Sequence, residues 1–539
     1  MMQQYITGML SNRICFSQTD SRCYRGIFLL ILLTGLVLRL GAIYFAQGYH
    51  HFMVNDEVSA LRFILAWLAG DEQTHYLAQP AFNDGHLPGP LWTLLGVVLF
   101  KLGGNSAEGA LYLMAALNSL TVWLVYKLAR NYFEPALALL TAALYAIAPW
   151  TVYYSYGLYN PVPLDLIGAL LFLALWQCMT RESTRWVFWV PVLCAVIPQF
   201  HMIGLFVIPA VLLVLALSPA RLNSRWLVAG ILAGLLLYLP YLIGDMQNNW
   251  HNLHAMLSGS QKGEYSASVL KILTAPATLL SSAPAGWTGD GMEPLREFGN
   301  RWFGHYSVLV VLAGWTLLHA FFYLFSALKK LVVLIWRQRG RLRAGTSINS
   351  PLMFIGLLVF VPLLLFLLTG HNFSTRYAII LLPLLFLLPG LFLTSLKREG
   401  IKSYWVVSLA LTGVLNLYLL GSYFAYQQQR LVDGSEFMPS FRTLESIRQN
   451  LQTDAGKEAA FRVDISPALK QNLSHFDYKL VATISQYVRI WQIYHQGRHG
   501  TPDVSYIIEL ADADSEQPAL YRRGNIVIHR QADKPGSGS

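Results

Sequence analysis

Two adjacent acids, Asp56 and Glu57, are the first carboxylates after the first long hydrophobic run of the chain. A carboxylate at the boundary between lipid and water can act as a general base, because it can take a proton from a bound hydroxyl group. The same pair also suits a plain helix start, since Asn55 or Asp56 could cap the helix and acids favour its positive end. Either interpretation places the pair at the beginning of a helix.

The residues after the two acids repeat with the spacing of a helix. Apolar side chains recur at Val58, Leu61, Leu65 and Leu68, while Arg62 falls on another face. This pattern predicts an amphipathic helix that lies on a membrane surface.

Two other segments carry cations that could bind a phosphate group. His371 and Arg376 precede an apolar run, and Arg376 offers a planar, permanently charged array of donors that matches phosphate. The alternative for Arg376 is a side chain that extends to lipid headgroups. His86 lies in the segment Asp84–Pro90, for which an ordinary turn of proline and glycine is the alternative.

The segment 151–160 is rich in aromatic residues and ends in Asn160. Its rings at Tyr154, Tyr156 and Tyr159 could stack on the face of a sugar, and Asn160 could bind the same ligand. The alternative is an aromatic belt at the membrane interface.

Three further polar residues lie inside or beside apolar runs. His201 follows Pro198 between two apolar segments, and an ionisable group at that depth is commonly functional unless the chain turns at the interface. We expect Asp165 and Asp245, which lie near the ends of apolar runs, to be structural caps.

Composition predicts a polytopic membrane protein. Of the 539 residues, 55% are hydrophobic and 13% are charged. The net charge of +10 does not indicate a nucleic-acid partner, because the basic residues lie in short loops between apolar runs. The four cysteines have neither metal-ligand nor disulfide-framework spacing. No phosphate-binding glycine loop, dinucleotide fingerprint, zinc-protease motif or nucleophile elbow is present in a supporting context.

Apolar runs and basic loops predict about eleven membrane spans, with surface helices in the first outer loop. The run 186–217 counts as two short passes and 90–103 as a surface or re-entrant helix, because every basic cluster then falls on the cytoplasmic side. The remaining predicted spans are 26–46, 107–130, 134–150, 160–179, 226–243, 306–336, 351–369, 376–395 and 403–424.

These spans predict a chain of four parts. Residues 1–25 form a cytoplasmic N-terminus, and residues 26–424 form a transmembrane domain with large outer loops at 47–106 and 244–305. Residues 425–530 turn polar and alternate like strands at 461–465, 479–484, 504–510 and 525–529, which predicts a small extracytoplasmic α/β domain. Residues 531–539 end in a Gly-Ser repeat typical of an appended tail.

Several of these segments resemble one family. The outer loop reading Asn55-Asp56-Glu57, the turn His86-Leu-Pro-Gly-Pro-Leu-Trp, the loop Ser155–Pro161 and the pair Arg376-Tyr377 are similar to motifs of the GT-C glycosyltransferases. The match is to the branch of protein O-mannosyltransferases and of the aminoarabinose transferases that modify lipid A. It covers about residues 26–424, and Asn160 stands where some relatives carry an aspartate.

The resemblance implies inverting transfer of a sugar from a polyprenyl-phosphate donor to a glycan, lipid or protein acceptor at the outer face of the membrane. Asp56 would be the general base, with Glu57 beside it. Arg376, His86 and His371 would bind the lipid phosphate, and Tyr154, Tyr156, Tyr159, Asn160 and His201 would bind acceptor or sugar. No cofactor is required, and a divalent metal is optional because a basic cradle can stabilise a phosphate leaving group. The bacterial inner membrane, with the active site facing the periplasm, is the implied location.

Two other functions fit a protein of this composition. A polymerase or ligase of the O-antigen type also takes lipid-linked sugars, but such proteins depend on a basic outer loop, and loop 244–305 has few basic residues. A transporter predicts charged or broken helices near the bilayer midplane, which is nearly uncharged here. We therefore favour the transferase.

Overall fold

The protein is described from a computed structural model. The structure describes residues 18–46, 54–77, 79–82, 85–180, 185–217, 222–257, 269–283, 293–343, 350–369, 375–432, 441–456, 461–465, 484–491, 504–510, 520–523 and 526–530.

The first part of the chain is almost entirely helical. Its helices are α1 (Gln18–Ala46), α2 (Val54–Leu68), α3 (Leu91–Leu102), α4 (Ala107–Arg130), α5 (Pro135–Ile147), α6 (Pro149–Tyr153), α7 (Leu164–Thr180), α8 (Trp186–Phe200), α9 (Val207–Ala216), α10 (Ser224–Leu236), α11 (Leu239–Gln247) and α12 (His251–Leu257). Short 3₁₀ helices occur at Glu72–His75 and Met202–Phe206, and β1 (Pro80–Phe82) pairs with β2 (Gly85–His86).

The second part continues the bundle and ends in a sheet. Its elements are α13 (Val269–Leu280), α14 (Glu293–Phe303), α15 (Tyr306–Arg343), α16 (Pro351–Thr369), a 3₁₀ helix at Thr375–Leu381, α17 (Leu382–Leu385), α18 (Leu388–Thr394), α19 (Glu399–Val432), α20 (Phe441–Ala455), β3 (Phe461–Ile465), a helix at 484–491, β4 (Val504–Leu510), β5 (Tyr521–Arg523) and β6 (Ile526–Arg530).

Seven helical segments of the described chain are long and apolar enough to cross a membrane, and six shorter apolar helices accompany them. Each predicted span coincides with one of these helices, and the run 186–217 is split into α8 and α9 as expected. The break falls at His201, because Pro198 still lies within α8. The polytopic helical fold is therefore confirmed.

Helices α2 and α3, which lie in the segment predicted to be the first outer loop, pack on each other. Val58, Leu61 and Leu65 of α2 are buried, while Arg62 is exposed, so the amphipathic pattern is confirmed. Helix α3 joins the bundle through α4, where a Cβ atom on Gly109 would lie 2.0 Å from the carbonyl oxygen of Gly103. A side chain at this position would push the two helices apart.

The polar C-terminal part contains a four-stranded sheet in the order β3-β4-β6-β5. Strands β3 and β4 are parallel, and the other pairs are antiparallel. Val504, Tyr506 and Ile508 are buried on one face of β4, as the twofold repeat of a strand requires. The predicted strand at 479–484 is wrong at Ile484, which begins a helix, and its other residues lie outside the described chain.

Candidate functional site

The carboxylate of Glu57 connects helix α2 to the segment 151–160, here called the aromatic loop. Glu57 lies in the first turn of α2, and its side chain is buried. Its Oε1 atom accepts a hydrogen bond of 2.9 Å from the backbone N–H of Leu158. The bond holds the start of α2 against the aromatic loop. The backbone of the neighbouring Asp56 is therefore held near this loop as well.

The predicted tyrosines of the aromatic loop lie inside the protein. Tyr154, Tyr156 and Tyr159 are 5%, 2% and 1% exposed, so they do not form a lipid-facing belt. The ring of Tyr154 stacks on Trp150, with 5.6 Å between the ring centres. Burial raises the pKa of Tyr156, and the charges of Tyr423 and Glu57 raise it further, so the phenol stays neutral beside the carboxylate.

Asn160 connects three segments that are distant in sequence. Its Oδ1 atom accepts a 2.8 Å hydrogen bond from Gln79, and its Nδ2 atom donates a 2.7 Å bond to the carbonyl oxygen of Phe200. Both polar ends of the amide are therefore engaged within the protein. Asn160 holds the aromatic loop against the break between α8 and α9.

The turn before α3 packs on the same break. Gly89 has a φ of +131°, a conformation that side chains rarely adopt. A Cβ atom there would lie 2.1 Å from the Oε1 atom of Gln199. Only glycine allows the turn to approach Gln199 this closely.

Arg376 lies near the aromatic loop, where its charge acts on Tyr154. Its guanidinium carbon is 5.7 Å from the centre of the Tyr377 ring, and that ring is 5.2 Å from His201. Burial, together with the charge of Arg376, lowers the pKa of His201 to about 3. Burial raises the pKa of Tyr154, while Arg376 acts against this rise. This permanent cation therefore lies near two neutral side chains, His201 and Tyr154.

Two predicted residues cannot be placed in this arrangement. The backbone of Asp56 lies in the first turn of α2, but its side chain is outside the described part of the chain, and so is the whole of His371.

His86 has partners other than Arg376. Its backbone carbonyl oxygen accepts a 3.1 Å bond from Asn252, and its ring lies 6.1 Å from that of Phe63. Burial and the nearby His251 lower the pKa of His86, which favours its neutral form. Within the described residues, the structure does not place His86 beside Arg376, and a neutral ring is a weaker donor to phosphate than the predicted cation.

The two remaining acids have different roles. Asp245 accepts hydrogen bonds of 2.7 and 3.0 Å from the N–H groups of Asn252 and Leu253, so the predicted cap is confirmed. Asp165 instead accepts a hydrogen bond from the phenol of Tyr145 in a neighbouring helix, so it joins α7 to α5.

The sequence analysis missed Arg39, a cation within the first span. It is 0% exposed, and its guanidinium donates to the carbonyl oxygens of Gly35 at 3.0 Å and Ala146 at 3.1 Å. The guanidinium carbon lies 5.8 Å from the centre of the Tyr145 ring, which bonds to Asp165. A lone arginine in an apolar run was the available signal, because such a charge requires a partner inside the bundle.

A small apolar cavity of about 20 Å³ adjoins the site. It lies between α1, α6 and α19, and Tyr153, Tyr156 and Phe424 contribute to its wall. The described residues contain no group of three or more metal-ligating side chains. The described part of the site thus combines the carboxylate of Glu57 with the guanidinium of Arg376, a cation that suits a substrate with a phosphate group.

Comparison with known proteins gives one family match. A model described as dolichyl-phosphate-mannose-protein mannosyltransferase matches residues 86–243, and no curated protein matches the chain. The matched range includes His86, the aromatic loop and the break at His201.

Among solved structures, ArnT from Cupriavidus metallidurans in the apo state is similar with a TM-score of 0.53 and 11% identity, over 95% of this chain and 97% of that one. The Archaeoglobus fulgidus oligosaccharyltransferase in the apo form reaches 0.43 and 12%, over 92% and 70%. AglB from the same organism, solved with an inhibitory peptide and a dolichol-phosphate, reaches 0.41 and 13%, over 91% and 70%. The likeness to ArnT shows the fold, and the two weaker scores add nothing to it.

Proposed function

We propose that this chain is a membrane glycosyltransferase of the GT-C type that moves one sugar, with inversion, from a polyprenyl-phosphate donor to an acceptor at the outer face of the membrane. The family-model match over residues 86–243 and the fold shared with ArnT support this proposal. The acceptor classes that fit are a lipid such as lipid A, a polysaccharide and a protein. The proposed location is a bacterial inner membrane, with the site facing the periplasm.

The observation that supports this proposal is the convergence of an acid and a cation on one short loop. The N–H group of Leu158 donates a hydrogen bond to the carboxylate of Glu57. Four residues earlier in the same loop, the charge of Arg376 opposes the rise in the pKa of Tyr154 that burial causes. A transfer from a lipid phosphate needs a base near the acceptor and a cation near the leaving group. The aromatic loop thus contacts the helix that carries the two acids and lies near the segment that carries the cation Arg376.

The proposed step uses Asp56 as the base. The acceptor hydroxyl gives its proton to Asp56, and its oxygen forms a bond to the anomeric carbon of the sugar. The bond between that carbon and the lipid phosphate oxygen breaks, and the polyprenyl phosphate leaves with the electron pair. Arg376 stabilises the negative charge that develops on the phosphate.

The surrounding residues have supporting roles in the proposal. Glu57 is engaged by a backbone N–H, so it positions the start of α2 while its neighbour accepts the proton. His201 is neutral at physiological pH, so it can hydrogen-bond a sugar hydroxyl without competing with Arg376 for the phosphate.

The test is an assay of the purified full-length protein with a panel of polyprenyl-phosphate sugars and the three acceptor classes, read by mass spectrometry. We expect one donor to be consumed with release of polyprenyl phosphate, and the product to have the inverted anomeric configuration by NMR. The Asp56→Asn variant is the control for background hydrolysis. Retention of configuration, or no transfer from any donor, contradicts the proposal, and growth of a repeating polymer favours the polymerase.

A further inference from the structure

A second cleft lies at the other end of the bundle from Arg376. It opens between α15, α16 and α18 and has a volume of about 540 Å³. Phe392 lines it and lies sixteen residues after Arg376 in the same apolar segment, about 24 Å away if that segment is helical throughout. The cleft is therefore separate from the candidate transferase site.

Three cations line this cleft, and all three lie on α15. They are Lys329, Lys330 and Arg337. Lys329 and Arg337 are eight residues apart, a spacing that places both on one face of a helix. The Nζ atom of Lys330 donates a hydrogen bond to Ser395 and lies 5.6 Å from the centre of the Phe392 ring, so it bridges α15 and the end of α18.

These cations have no acidic counterpart in the described chain. The ion pairs of the described residues join Lys402 to Glu399 and Arg448 to Glu445. The cleft thus concentrates three positive charges against an apolar wall, and an anion from outside the chain would complement them.

The wall of the cleft is apolar on the side away from Arg337. Phe322 and Phe325 precede Lys329 on α15 by about two turns and one turn, and they are 51% and 67% exposed. Side chains of this size that are exposed within a membrane span face hydrocarbon. Along α15, exposed apolar side chains are therefore followed by cationic side chains. The acyl chain and the phosphate group of a phospholipid follow each other in the same order.

We propose that this cleft binds one anionic phospholipid from the leaflet at this end of the bundle. The phosphate lies against Lys329 and Arg337, and an acyl chain lies along Phe322 and Phe325. Basic pockets between membrane helices are suited to anionic headgroups. A zwitterionic lipid fits less well, because its own ammonium group is repelled by the three cations. In the topology proposed from the basic loops, this leaflet is the cytoplasmic one.

The bound lipid would contact three helices, so its binding should change the thermal stability of the protein. A ligand that binds only the folded state raises its stability in proportion to the logarithm of ligand concentration. Phosphatidylglycerol should therefore raise the Tm of the detergent-solubilised protein, while phosphatidylcholine with the same acyl chains should raise it much less.

The experiment is native mass spectrometry of the full-length protein titrated with phosphatidylglycerol or with phosphatidylcholine of matched acyl chains. The test variant is K329Q/R337Q, which leaves the Lys330 bridge intact, and F325S tests the apolar strip with all charges kept. The matched control is K397Q/R398Q, which removes the same charge from an exposed loop near the same end. We expect about tenfold weaker phosphatidylglycerol binding for K329Q/R337Q, weaker binding for F325S and no change for the control.

Two outcomes would overturn the proposal. Equal loss in K397Q/R398Q and K329Q/R337Q would mean that total surface charge, and not the cleft, attracts the lipid. Equal affinity of the wild type for the two lipids would mean that the cations do not select an anionic headgroup. The Tm of each variant without added lipid shows whether that variant is folded. If K329Q/R337Q is unfolded, the binding of phosphatidylglycerol by F325S still tests the proposal.

Discussion

The buried carboxylate of Glu57 and the backbone N–H of Leu158 are joined by a hydrogen bond of 2.9 Å, although 101 positions separate them in the sequence. This bond attaches the amphipathic helix α2 to the aromatic loop. The segment that carries Asp56 and Glu57 is thereby held against the segment that carries the tyrosines.

We predict that Asp56→Asn reduces kcat by about 10²–10⁴, because it removes the proposed general base. Folding should be preserved, since asparagine and aspartate are similar in shape and cap helices about equally well. The measurement is kcat in the transfer assay together with Tm and donor affinity. Glu57→Gln is the matched control and should lose less activity. Wild-type turnover by Asp56→Asn would mean that the two acids are only a helix start.

Glu57→Ala should lower stability more than Glu57→Gln. Alanine leaves the buried N–H of Leu158 without its acceptor, at about 1–3 kcal/mol, whereas the amide oxygen of glutamine can still accept that bond. The measurement is the Tm of both variants in the same detergent. Equal Tm values for the wild type and Glu57→Ala would show that the bond contributes nothing to stability.

Arg376→Ala should weaken binding of the polyprenyl-phosphate donor, and Arg376→Lys should restore only part of it. A single ammonium group cannot reproduce the paired donors that a guanidinium offers to phosphate. Donor affinity is measured by titration of the purified protein, with Arg296→Ala, an exposed arginine on α14, as the control. If Arg376→Ala binds donor as tightly as the wild type, this arginine only contacts lipid headgroups.

His201 should contribute to loss of stability in acid. Its pKa is lowered to about 3 in the folded state, while an unfolded histidine titrates near 6.5. The unfolded state therefore binds the proton first as pH falls below about 6.5, and stability decreases from there towards pH 3. His201→Gln should lose less Tm than the wild type between pH 6.5 and 5. An equal loss in His201→Gln and in the exposed-site control His305→Gln would contradict this.

Removing the charge of Arg39 should destabilise the bundle by about 1–3 kcal/mol, because the buried carbonyl oxygens of Gly35 and Ala146 would lose their donor and Asp165 would lose a favourable nearby charge. Replacing both residues, as in Arg39→Met with Asp165→Leu, should recover much of this loss. The measurement is a double-mutant cycle on Tm or on unfolding in denaturant. Additive effects of the two single changes would show that the pair does not interact.

The proposed topology predicts that two distant parts of the chain share one side of the membrane. In a cysteine-free background, an impermeant maleimide added outside should label Asp71→Cys in the first loop and Asn450→Cys in α20. Lys397→Cys should react only after the membrane is permeabilised. All three positions are exposed, so access within the protein is not limiting. Labelling of only one of the first two would contradict the proposed arrangement of spans.

The sequence by itself determined the helices and their approximate limits. A membrane span needs about twenty apolar residues, and an amphipathic helix repeats every 3.6 residues, so both patterns are local. For this reason the burial of Val58, Leu61 and Leu65, the split of 186–217 and the cap formed by Asp245 were all predictable. The strand predicted at Ile484 was wrong because that prediction also used only a local pattern. A short apolar run does not distinguish a strand from a helix.

Only the tertiary structure decided what the polar side chains contact. Asn160 bonds to Gln79 and to Phe200, which lie 81 and 40 positions away. Arg39 bonds to Ala146, which lies 107 positions away. Such pairings arise because each polar group buried in the bundle needs a partner, and the partner is whichever group the packing brings near. No local pattern specifies that group.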